Sequence, residues 1–107
     1  MTPDMTRIGV DPAHFGREPT VIATLRPGRQ RAQIEKLEGA WEVRQLADEM
    51  ERRYRAFAPA VEMTIEGVGV AAALIDLLRS RGIPVREAPG YTMAEALLYV
   101  PVIEAKL

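Results

Sequence analysis

The periodicity of apolar residues changes at about residue 41, and this change limits the possible folds more than any other feature of the chain. Before this point, three short segments have the alternating or β-branched composition typical of strands, and turns rich in proline and glycine separate them. These segments are residues 7–11, 20–26 and 31–37. After this point, apolar residues recur every three or four positions in two segments, as in amphipathic helices. The later elements are helices at 41–57 and 70–81 and strands at 61–65 and 83–85.

This order of elements predicts an α/β fold. Strands joined by short turns form antiparallel pairs, whereas strands reached through a helix lie parallel to a neighbouring strand. We therefore expect a mixed five-stranded sheet, with three antiparallel strands followed by two parallel ones, flanked by helices. The third strand alternates poorly and is expected at an edge of the sheet. A chain of 107 residues, 48% of them apolar, is expected to form a single domain over residues 1–107.

The helical segments carry further local signals. The apolar face of the first helix comprises Val43, Leu46, Ala47, Met50, Tyr54 and Phe57. Its polar face predicts an ion pair between Asp48 and Arg52, four residues apart, and the arginines at 52, 53 and 55 are interpreted as solvated. Gly82 is suited to end the second helix. A short third helix is expected over residues 93–98.

The composition excludes several kinds of site. There is no cysteine, which excludes disulfides, thiolate metal sites and cysteine nucleophiles, and the single histidine, His14, cannot form a multi-histidine metal centre. The net charge of −1 gives no global basic field of the kind that points to nucleic acid. No apolar stretch approaches the roughly 20 residues needed to cross a bilayer, and residues 1–7 lack the apolar core of a signal peptide. We therefore expect a cytoplasmic protein with no membrane partner.

Two acidic residues follow apolar strand segments at widely separated points of the chain. Asp11 ends the first strand and Glu66 follows the fourth. If these strands are parallel neighbours, both acids emerge at the carboxyl edge of the sheet, where open α/β sheets bind ligands. Two carboxylates held close together repel each other unless a cation lies between them, and oxygen ligands suit Mg²⁺ or Mn²⁺. Since two such ions about 4 Å apart can catalyse displacement at a phosphodiester, Asp11 and Glu66 are the candidate catalytic residues and metal ligands.

Glycines and arginines near these segments are candidates for contacts with DNA. Gly67 and Gly69 precede the second helix, where free backbone N–H groups attract anions, although taken alone this stretch fits a simple tight strand-to-helix turn better. Pro27-Gly28 predicts a hairpin turn after the second strand. The arginines that flank the tip of this hairpin are Arg26, Arg29 and Arg31. They are interpreted either as solvated or as ligands of a phosphate backbone.

Two stretches together resemble a known family. IGVDPAHFGREPTVIATLRPG is similar to the opening of the nuclease domain of phage terminase large subunits, where a strand ends in Asp, Phe-Gly follows, and a second strand ends in Arg and Gly. MTIEGVGVAAALIDLLRSRGIPV is similar to a second segment of that domain, with a strand, an acidic residue, a glycine before a helix, and a Gly-Ile-Pro-Val-like strand. The resemblance covers roughly residues 7–107 and implies a ribonuclease H-like fold.

The resemblance also implies an activity and its site. It implies a divalent-metal-dependent endonuclease that cuts DNA during phage packaging, with Asp11 and Glu66 in the positions of two catalytic acids. The departures from the family pattern are Arg17-Glu18 in place of two acids, Glu66 in place of an aspartate, and Ala71 in place of a glycine. The family's third acid comes from a later helix, so Glu95, Glu104 or a second chain is expected to supply it. The chain is expected to be a free-standing or truncated domain, with the motor ATPase on a separate subunit.

Three functions are consistent with these features. The first is a metal-dependent DNA endonuclease of the terminase or ribonuclease H-like kind. The second is a catalytically inactive domain of the same fold that binds DNA or serves in assembly, which the missing third acid favours. The third is a nuclease of the junction-resolvase type, which places acids at strand ends in the same way and acts as a homodimer.

Overall fold

Five strands and two helices form the part of the chain that the computed structural model describes, which is residues 5–12, 19–29, 31–66 and 70–88. The strands are β1 (Thr6–Asp11), β2 (Thr20–Leu25), β3 (Gln33–Leu37), β4 (Val61–Glu66) and β5 (Val85–Ala88), and the helices are α1 (Val43–Phe57) and α2 (Val70–Ser80). The helix predicted over 93–98 lies outside the described residues. Neither α1 nor α2 is long and apolar enough to span a membrane.

The strands form one mixed sheet in the order β3-β2-β1-β4-β5. β1 and β3 each pair antiparallel with β2, and β4 pairs parallel with both β1 and β5. The predicted α/β fold class, a mixed five-stranded sheet of three antiparallel strands followed by two parallel ones and flanked by helices, is therefore confirmed. β3 lies at an edge, as its weak alternation predicted.

Both helices pack on the same face of the sheet. Alternate residues of the two central strands, Ile8 and Val10 of β1 and Met63 and Ile65 of β4, are fully buried and belong to one cluster with apolar side chains of α1 and α2. Since successive side chains of a strand point to opposite faces, the residues between and after them point away from the helices. Those residues include Gly9, Asp11, Thr64 and Glu66.

The ends of α2 and β5 differ from the prediction. Gly82, with φ of 81°, donates its N–H to Arg79 O, and the Ile83 N–H bonds Leu78 O, which together form the Schellman C-cap expected at this glycine. Ile83 is buried as the apolar residue of that cap. Because Ile83 completes the cap, β5 covers 85–88 rather than the predicted 83–85.

The polar face of α1 also differs from the prediction, since the expected Asp48–Arg52 pair is not formed. Arg52 pairs with Glu49, one turn before it, and Asp48 accepts instead from Arg81 Nη1 at 2.8 Å. Arg81 follows α2, so this contact ties the two helices together. The prediction was wrong because a nearer acid on α1 and an arginine remote in sequence competed for the same partners.

Arg53 was interpreted as a solvated residue, but its side chain is only 13% exposed and joins α1 to β3. Its two Nη atoms donate to the two carboxylate oxygens of Glu35 at 3.1 and 2.8 Å, and its Nε donates to Glu49 at 2.7 Å. The hydrogen bond from Arg53 lowers the pKa of Glu35 below 4.5, outweighing the opposing effect of burial. The hydrogen bond from Arg52, followed by that from Arg53, likewise lowers the pKa of Glu49.

We expect Arg53→Gln to lower the free energy of unfolding at neutral pH by about 1–2 kcal/mol, because charge-assisted hydrogen bonds to two carboxylates are lost. A carboxylate whose folded-state pKa is depressed stabilises the fold above its unfolded-state pKa, and this stabilisation is lost as the pH falls through the folded value. The difference between wild type and variant should therefore shrink below pH 4.5. Urea unfolding at neutral and acidic pH measures it. Arg55→Gln, which breaks an exposed pair with Glu51, is the control and should cost less at either pH.

Candidate metal-binding site

The carboxyl ends of the two central strands bring Asp11 and Glu66 together. β1 and β4 run parallel, and their register pairs Thr6 with Val61 and continues residue by residue to Val10 with Ile65. Asp11 and Glu66 are the next residue of each strand, so they stand side by side on strands about 4.8 Å apart. The side-by-side placement expected from the sequence is present in the fold, and the role of the two acids as metal ligands stays a prediction.

The surroundings of the two acids hold them in place on the face of the sheet away from the helices. Asp11 is 8% exposed, and Glu66 is half-buried. The preceding residues, Val10 and Ile65, are fully buried beneath the helices. Their packing fixes the position and direction of the two strand ends. β2 and β5 flank the pair, since Asp11 also pairs with Val21 and Glu66 with Ala88. The two carboxylates therefore lie at the middle of the carboxyl edge of the sheet rather than at a lateral edge.

A buried hydroxyl group lies on the same face of the sheet as the two acids. Thr64 is two residues before Glu66 on the same face of β4, and its register partner on β1 is Gly9. The residue is only 2% exposed, and within the described residues its Oγ1 has no hydrogen-bond partner. A buried hydroxyl without a partner costs roughly 1–3 kcal/mol, so native proteins usually satisfy such a group by water or a ligand. This residue was not singled out in the sequence, because only its burial distinguishes it from an ordinary strand threonine.

The chemistry of these groups fits one Mg²⁺ or Mn²⁺ ion. Both ions prefer oxygen ligands, and Mg²⁺ in proteins is commonly held by one or two carboxylates and completes its shell with water or substrate phosphate. Water in such a shell would also satisfy Thr64 Oγ1. Among the described residues there is no cluster of three or more acidic or histidine side chains that could hold a metal. The candidates for a third acid, Glu95 and Glu104, lie outside the described residues, as do Gly67 and Gly69.

The three arginines predicted to contact DNA lie together but not beside the acids. Arg26, Arg29 and Arg31 line one pocket with Thr24 and Gln33, at the turn between β2 and β3. Asp11 pairs with Val21 at the start of β2, whereas Arg26 follows the end of that strand, roughly 17 Å farther along it. The structure thus places the two acids and the three arginines at opposite ends of the strands. This separation follows from the antiparallel direction of β2 relative to β1, since Asp11 ends β1 and Arg26 follows the end of β2.

No model of a known protein family matches the chain, and no curated protein sequence matches it. The resemblance to terminase nuclease domains therefore stays a prediction. The main support for a function comes from the positions of the described residues.

Proposed function

We propose that the protein is a divalent-metal-dependent nuclease that cleaves phosphodiester bonds of DNA at Asp11 and Glu66. The observation that supports this proposal most is the side-by-side position of these acids at the carboxyl ends of two parallel strands. Unlike a random surface pair, they come from segments 55 positions apart in the sequence and are held by buried residues on both strands. The resemblance to the terminase nuclease domain supports DNA as the substrate.

Each residue has a distinct task in this proposal. Asp11, the more buried acid, and Glu66, whose side chain is one methylene longer, would together hold the ion through their carboxylate oxygens. The hydroxyl of Thr64, on the same face of β4 and without a partner among the described residues, would be available to bind a water molecule near such an ion. A bound divalent ion supplies Lewis-acid stabilisation of the charge on the phosphoryl oxygens and favours ionisation of water. The two acids hold the phosphate in position only through that ion, because carboxylates by themselves repel it.

The proposal is tested by incubating supercoiled plasmid with the protein in Mn²⁺, in Mg²⁺ and in EDTA. We expect conversion to the nicked or linear form with either metal and none in EDTA. An inactive DNA-binding or assembly module, the second candidate, is favoured by the absence of a third acid from the described residues. Metal binding without any nicking would support that candidate, whereas absence of both metal binding and nicking would overturn the metal site altogether.

We expect Mn²⁺ to bind a single saturable site that requires both acids. Asp11→Asn and Glu66→Gln should each raise the dissociation constant about tenfold or more, because each removes an anionic ligand while preserving side-chain shape. The loss of the electron paramagnetic resonance signal of free Mn²⁺ on binding measures this directly. Asp76→Asn is the matched control, since Asp76 is an exposed acid on α2. Equal affinity in all four proteins would place the metal elsewhere.

A further inference from the structure

The arginine pocket, lined by Thr24, Arg26, Arg29, Arg31 and Gln33, is a second site that the nuclease proposal does not use. The pocket and the pair Asp11 and Glu66 lie at opposite ends of the strands, and they also lie on opposite faces of the sheet. Thr24 pairs with Ile8, whose side chain packs under the helices, and Gln33 pairs with Thr24. The pocket therefore opens on the helix side of the sheet, whereas Asp11 points to the other side.

The charge of the pocket is uncompensated within the described part of the chain. Outside the pocket, five described arginines form ion pairs with acidic side chains: Arg52, Arg53, Arg55, Arg81 and Arg86. None of the ion pairs between described residues involves Arg26, Arg29 or Arg31. The described lining of the pocket thus carries three positive charges and no carboxylate, so an anion is its complementary ligand.

One contact positions the guanidinium group of Arg26, and a second fixes the backbone of the turn, before any ligand binds. The Cζ of Arg26 lies 5.7 Å from the centre of the Phe57 ring at the end of α1, a distance at which a cation is attracted to the ring. The Arg29 N–H donates to Arg26 O at 3.2 Å, closing the turn through Gly28, whose φ of 76° is the value a type II turn needs at its third residue. The backbone positions of Arg26 and Arg29 are therefore fixed relative to each other.

We propose that the arginine pocket binds one phosphate group, independently of the metal site. Guanidinium groups bind phosphate oxygens through paired, charge-assisted hydrogen bonds, and Thr24 and Gln33 add neutral donors. The pocket volume of about 190 Å³ is smaller than that of sites that enclose a whole drug-sized ligand, so it suits a single anionic group. The phosphate belongs either to a DNA backbone or to a small phosphorylated molecule, and the two sources share this chemistry.

The test is a titration of the ¹⁵N-labelled protein with inorganic phosphate in EDTA, at constant ionic strength, followed through the amide signals of Gly28, Arg29 and Gln33. We expect saturable shifts. Arg29→Gln combined with Arg31→Gln should raise the dissociation constant about tenfold or more, because charge-assisted bonds are lost. Phe57→Leu should raise it roughly threefold by removing the ring beneath Arg26 while keeping the charge. Arg44→Gln, the same change at an exposed arginine of α1, should leave it unaltered.

A second arm distinguishes the source of the phosphate. If a short DNA duplex shifts the same amide signals and displaces inorganic phosphate, the pocket binds the DNA backbone. If the duplex leaves these signals unmoved while phosphate shifts them, the ligand is a small phosphorylated molecule. Absence of saturable shifts up to tens of millimolar phosphate, or equal weakening by Arg44→Gln, would overturn the site. Because the titration contains no divalent metal, its result is separate from that of the nicking assay.

Discussion

Replacing Asp11 by asparagine is expected to reduce Mn²⁺-dependent nicking of plasmid DNA by about 100-fold or more. The metal contributes several kcal/mol of transition-state stabilisation, and each 1.4 kcal/mol or so corresponds to a factor of ten in rate. Asparagine keeps the shape of the buried side chain but removes the anionic oxygen that we propose as a ligand of the ion. Glu66→Gln is expected to act in the same direction, because Glu66 stands beside Asp11 across the β1–β4 pair.

Two controls make the nicking result specific. Asp76→Asn makes the same chemical change at an exposed position of α2 and should keep wild-type activity. Each variant is purified identically, so an activity shared by all of them belongs to a contaminating nuclease. The urea unfolding midpoint of Asp11→Asn should lie close to that of wild type, which separates lost chemistry from lost folding. Equal nicking by wild type and Asp11→Asn would remove Asp11 from the reaction.

Periodicity predicted the fold well because the elements bury their apolar residues against one another at regular spacing. The alternation of β1 and the three-four spacing of α1 each determine which face is buried, and the turn signals determine the order of pairing. β5 was misplaced because its neighbour Ile83 is apolar for a different reason, as part of the cap that ends α2. A short apolar run next to a helix end fits a cap and a strand equally well.

The position of the acids was predictable for the same reason as the fold. Once β1 and β4 are parallel neighbours, residues that directly follow their apolar runs must emerge at one edge. The ion pairs were not predictable, because an arginine has several acids within reach and the tertiary fold selects among them. Arg53 illustrates this, since its partner Glu35 lies 18 positions earlier on the edge strand.

The positions of the two candidate sites also differ in how far they can be predicted from the sequence. The acidic pair depends on strand ends, which the pattern of apolar residues marks. The arginine pocket depends on the twist and direction of a hairpin and on Phe57, which was predicted only as part of the apolar face of α1. A charged cluster near a turn is visible in the sequence, but the side of the sheet on which it opens is not.

The central position of β4 predicts the largest effect on stability. Met63 is fully buried and lies in register between Ile8 of β1 and Val85 of β5. Met63→Ala is expected to lower the free energy of unfolding by about 2–5 kcal/mol, because it leaves a cavity between the sheet and the helices. For a slope of about 1.5 kcal/mol per molar urea, this lowers the unfolding midpoint by roughly 1–3 M.

Met63→Leu conserves volume and should cost less than about 1.5 kcal/mol while keeping both metal binding and nicking. A midpoint for Met63→Ala equal to that of wild type would mean that β4 is not the buried strand between β1 and β5, and the position of Glu66 beside Asp11 would lose its support.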